Sequence, residues 1–82
     1  MAVAFAPDHS AEVRVSSYYV NTKPQSNGDH EVHVATCSYL PATNNRLYLG
    51  EFLHCSGAVA KARDHYRQTN GCYFCALPCH TR

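Results

Sequence analysis

The sequence predicts a small α+β domain, a three-stranded antiparallel sheet followed by one helix and a cysteine-rich C-terminal knuckle, in the order β-β-β-α. Three observations carry that expectation. Two stretches, "HEVHVAT" (30–36) and "RLYLGEF" (46–52), alternate apolar and polar residues with the period of a half-buried strand. One stretch, "SGAVAKARDHYRQ" (56–68), repeats its apolar residues with helical spacing. The tail "NGCYFCALPCHTR" crowds Cys72, Cys75, Cys79 and His80 together.

At 82 residues the chain has room for one domain at most, and a chain this short has a thin core unless something staples it. Residues 1–16 show no sustained periodicity and read as a flexible extension, leaving 17–82 as the domain. "SSYYVNT" (16–22) is aromatic and β-branched, hence the first strand. Pro24 and Asn27-Gly28 mark a turn, after which Val32 and Val34 alternate with Glu31 and His33. The first two strands are expected to pair as an antiparallel hairpin. A loop with Pro41 and Asn44-Asn45 leads to the third strand, where Leu47 and Leu49 take one face, Arg46 and Tyr48 the other. The helix is expected over 56–68, with Ser56 as N-cap and an apolar face of Ala58, Val59, Ala62 and Tyr66. Asn70-Gly71 reads as its C-terminal stop.

Charge excludes more than it suggests. A net charge of +1 with scattered Lys and Arg is no footprint for nucleic acid or an anionic membrane. No apolar run has the length of a membrane span, and "MAVAFAPDHS" lacks the basic leader of an export signal. The expected compartment is therefore the cytoplasm, where thiols stay reduced. Five cysteines also leave one over from any complete disulfide framework. Both considerations turn the cysteines toward metal. Paired carboxylates, an activated serine and a glycine-rich phosphate loop are not found, so no enzyme activity is expected.

The chemistry is concentrated in two residue pairs. Cys72 and Cys75 form a C-x2-C pair, a spacing that lets one tight turn aim both sulfurs at one ion. His33 and Cys37 form an upstream pair where the second strand gives way to loop. Together they make a Cys3His shell, closed and suited to one structural zinc. The bland reading of the C-x2-C pair is two small buried hydrophobes. A redox pair is disfavoured because such motifs precede a helix, and this one follows the helix. Cys79 and His80 are candidate alternative ligands. Cys55 reads as a buried small side chain, and His9, His54 and His65 as surface residues. His30 falls on the opposite strand face from His33. The six tyrosines read as core and turn packing, since a base-stacking platform wants Lys and Arg interleaved with them.

The series "HVATC", "NRLYLGEF", "AVAKA" and "GCYFC" resembles the Ada-like metal-binding domains over roughly residues 18–76. In that family an H/C-x3-C pair, a strand, an Ala-rich helix and a C-x2-C pair follow one another. The resemblance implies zinc at His33, Cys37, Cys72 and Cys75. In the DNA-repair members the first upstream ligand is a cysteine that accepts a methyl group from alkylated DNA phosphate. That position is His33 here, and an imidazole cannot serve as the acceptor thiolate. The reading is then a zinc-stapled, non-catalytic binding or scaffolding domain. Its partner is left open between protein and nucleic acid, with no membrane expected. A zinc-thiolate alkyl acceptor and a disulfide-stapled domain are the alternatives.

Overall fold

The structure, a computed structural model, describes residues 14–81. The flexible extension expected at the N-terminus lies almost wholly outside them. Strands β1 (Ser16–Asn21), β2 (His30–Val34), β3 (Arg46–Phe52) and β4 (Thr69–Gly71) form one sheet in the order β3-β1-β2-β4. Helix α1 spans Cys55–Ala62, and 3-10 turns cover Thr43–Asn45 and Leu77–Cys79. The class is α+β, as expected, but the sheet has four strands and is mixed.

The hairpin forms as the sequence predicts: β1 and β2 run antiparallel, with Tyr19 opposite His33 and Val20 opposite Val32. The third strand does not continue a meander. It pairs antiparallel with β1, on the edge away from β2. Its register slips between Tyr18 and Tyr19, beside Gly50, whose φ of 121° is a conformation that disfavours a side chain. Between them, the slip and the period of two place Tyr18, Val20, Val32 and Leu49 in one core beneath the helix. Ala58, Val59 and Ala62 of α1 close that core with small side chains, so helix and sheet approach closely.

Three expectations near the helix are corrected. The helix starts one residue early, with His54 in the N-cap position and no side-chain cap, so Ser56 does not cap it. It also ends at Ala62, well short of Gln68. Tyr66 still reaches the core, but from the segment after the helix, and its ring stacks on His30 at 3.8 Å. Leaving the helix early frees the chain to return alongside β2. Asn70-Gly71 is therefore no helix stop but part of β4, which runs parallel to β2 with His30 opposite Thr69 and Val32 opposite Gly71. Glycine is required at 71 by proximity. A Cβ there would stand 2.8 Å from the carbonyl oxygen of Ala76 and from the Cβ of Cys79.

Asp29 ties this edge together. It is fully buried, and its carboxylate accepts from Gln68 Nε2 at 2.8 Å, Asn70 Nδ2 at 3.2 Å and Asn27 Nδ2 at 3.2 Å. Asn70 in turn accepts from the backbone N–H of Thr81 at 3.0 Å. One side chain thus joins the β1–β2 turn, β4 and the tail. Asp29→Ala leaves buried amide donors without an acceptor and is expected to cost about 2 kcal/mol. The chemical denaturation midpoint should fall accordingly; an unchanged midpoint contradicts this account of the edge.

Candidate metal centre

His33 sits in β2 directly opposite Tyr19, facing away from the valines of the core, and is 2% exposed. Three residues past the end of β2, the backbone N–H of Cys37 bonds back to the carbonyl of Val34, a turn that follows the strand. On the other side, Cys72 comes immediately after β4, and its N–H bonds to the carbonyl of Val32. The N–H of Ala76 then bonds to the carbonyl of Cys72, closing the turn that carries Cys75. The parallel pairing of β2 and β4 is what brings the two halves together. Without it the upstream and downstream pairs would have no common edge.

The four expected residues do converge. One ligand atom from each of His33, Cys37, Cys72 and Cys75 lies within 4.8 Å of every other. The Sγ atoms of Cys37 and Cys72 are 3.9 Å apart, and Cys75 Sγ is 3.9 Å from His33 Nδ1. A tetrahedral site with zinc–sulfur bonds of about 2.3 Å has sulfur–sulfur edges of roughly 3.8 Å. The observed spacings fit that figure.

Each sulfur has a donor beside it. Backbone N–H groups donate to each thiol: Val34 to Cys75 at 3.4 Å, Tyr39 to Cys37 at 3.4 Å and Phe74 to Cys72 at 3.3 Å. Burial pushes the Cys75 thiol well above its ordinary value, and the neighbouring Cys37 and Cys72 push it further; the Val34 N–H works the other way. Three sulfurs this close cannot all ionise unless a cation lies between them. Burial holds the His33 imidazole below its usual range, so it is neutral at pH 7, as a metal ligand must be.

Glu31 was not singled out by its sequence, although it shares a strand face with His33 by the period of two. Its Oε1 lies 3.8 Å from His33 Nε2, on the far side of the ring from Cys75. A carboxylate behind a ligating imidazole orients the ring and fixes which nitrogen faces the metal. Burial raises the Glu31 carboxyl above its usual range and the charge of Asp29 adds to this, while His80 and a hydrogen bond from Gln25 oppose it.

The two spare ligands are otherwise engaged. Cys79 forms a disulfide with Cys55, across a sequence separation of 24. His80 donates from Nδ1 to the carbonyl of Gly71 at 2.9 Å and is not among the four converging residues. The five cysteines therefore divide into one disulfide and three free thiols. This corrects the expectation that all five are reduced and that Cys55 only fills space. A spacing of 24 residues carries no pattern, so nothing in the sequence marked the pair. A cavity of about 390 Å3 lies beside the bond and is lined in part by Tyr18, Cys55, Cys75 and Cys79.

No family model, no curated protein and no solved structure matches the chain. Among the described residues, no helix is long and apolar enough to cross a membrane.

Proposed function

We propose that the domain binds one zinc ion through His33, Cys37, Cys72 and Cys75, and that this ion is a structural staple. The observation that carries the reading is the convergence of one imidazole nitrogen and three sulfurs within 4.8 Å of one another. Three thiolates and an imidazole select zinc over hard cations such as magnesium and calcium, which prefer oxygen. Four protein ligands complete a tetrahedron, leaving no position for a substrate or an activated water. The role is then that of a binding or scaffolding module without catalysis. The likeness to Ada-like domains supports the same ligand set through its H-x3-C and C-x2-C spacing. It does not support alkyl transfer, because the acceptor position is His33, a buried imidazole. The disulfide alternative merges with the main reading, since Cys55 and Cys79 are bonded and the four metal-facing residues are separate from them.

Protein purified without added metal should carry one zinc per chain by elemental analysis. Folded protein lacking metal, with native chemical-shift dispersion, is the result that sinks this reading.

A further inference from the structure

Beside the metal cluster lies a cavity of about 450 Å3. That volume falls in the range of small-molecule sites. His33 and Cys72 form part of its wall, and so do Glu31, Tyr39, Tyr73, Phe74 and His80. The three aromatic residues are unusual for so small a protein. Tyr39 is 58%, Tyr73 54% and Phe74 64% exposed, all three in turns. They are not scattered. Tyr39 stacks on Phe74 with centroids 4.4 Å apart, Tyr73 meets Phe74 edge-on at 5.2 Å, and Tyr73 meets His80 edge-on at 5.5 Å. Stability of the fold gives no reason to hold these rings together in water.

The permanent charges around the cavity are negative, and His80 is the lining side chain that opposes them. A zinc ion held by three thiolates and a neutral imidazole leaves one net negative charge, because two positive charges meet three negative ones. Glu31 contributes a carboxylate whose side chain is 14% exposed. Among the described residues, no lysine or arginine lines the cavity. Aromatic rings add the negative face of their quadrupoles. An anion would be repelled from this place, and a neutral apolar group could pack on the rings but would gain nothing from the carboxylate.

We infer that the cavity is a binding site for an alkylammonium group, with Glu31 and the anionic metal centre supplying the field and Tyr39, Tyr73 and Phe74 the aromatic wall. Part of that field rests on the zinc reading above; the carboxylate and the rings do not. The group can arrive on a free quaternary amine or on a methylated lysine side chain, and the two share the same head.

Two-dimensional NMR titration of the zinc-loaded protein distinguishes these cases. The probes are choline, its uncharged carbon isostere 3,3-dimethylbutan-1-ol, and N-acetyl-trimethyllysine amide, with the zinc content of each sample measured alongside. Choline should give saturable shifts at Tyr73, Phe74 and His80, and the isostere should bind about fivefold or more weakly. Tyr73→Leu and Phe74→Leu, both at exposed positions, should weaken choline several-fold while retaining zinc. Equal affinity for choline and the amino-acid probe assigns the site to the head group alone; tighter binding of the latter assigns it to a modified side chain. Equal binding of choline and the isostere, or no saturation in protein with full zinc, overturns the inference. Choline binding by folded, zinc-free protein overturns the zinc reading and leaves the pocket standing.

Discussion

Adding a strong chelator to the folded protein is expected to unfold it. Structural zinc in small modules contributes apparent free energies of about 10–16 kcal/mol. The core that would remain is thin, with Tyr18, Val20, Val32 and Leu49 on the sheet side and mostly alanine and valine on the helix side. On the zinc reading, the ion also joins β2 with its following turn to β4 with its own, since the four converging residues come from both. Removing it leaves three closely spaced thiols and a buried imidazole with nothing to organise them. Cys72→Ser should behave like the chelator, since Cys72 is buried at the centre of the cluster. Far-UV circular dichroism during chelation, followed by zinc addition, checks this: loss and recovery of signal are expected. A full native spectrum after complete zinc removal contradicts the staple.

The second large effect is expected from the disulfide. Closing a loop with the separation of 24 residues between Cys55 and Cys79 restricts the unfolded chain by about 3.5 kcal/mol in the loop-entropy model. Replacing both cysteines by alanine should lower the thermal midpoint on the order of 20 °C, given the size of the chain. Zinc content should stay at one per chain, because neither residue is among the converging four. The pair of measurements separates the two staples. If the double variant loses its zinc as well, the bond between helix start and tail is a condition of the metal site and not an independent support.

The parts of this fold that were legible in the sequence are those with a period. Val32 and Val34, then Leu47 and Leu49, mark strands because a half-buried sheet repeats every second residue. Ala58, Val59 and Ala62 mark the helix, and they do form its buried face. The four converging residues were legible because a tight turn imposes short spacings on candidate ligand pairs. What escaped had no local signature. Strand β4 consists of Thr69, Asn70 and Gly71, of which Asn70 and Gly71 favour turns, and β2 gives it a parallel edge and Asp29 an anchor. The helix stops at Ala62, where the weak helix formers Asp64, His65 and Tyr66 follow Arg63, and Tyr66 instead stacks on His30 and packs on the core. The exposed rings of Tyr39, Tyr73 and Phe74 were unreadable for a related reason. Composition counts aromatic residues, and only the fold shows that these three, from two different turns, come together.

The parallel pairing of β2 with β4 has a consequence for the route by which the molecule forms. Between Thr69 and Cys79 the chain supplies the last strand, two of the four converging residues and one half of the disulfide. Everything earlier can be synthesised while the hairpin and helix wait, and none of the three closures can begin until this segment has emerged from the ribosome. Its partners lie far back in the chain, at Cys55, His33 and Cys37, so each closure spans a long loop and folding is dominated by distant contacts. A nascent chain stalled before Thr69 would therefore expose reactive thiols and an unpaired strand edge at once, presenting the cell with a degradation substrate in place of a partly useful domain.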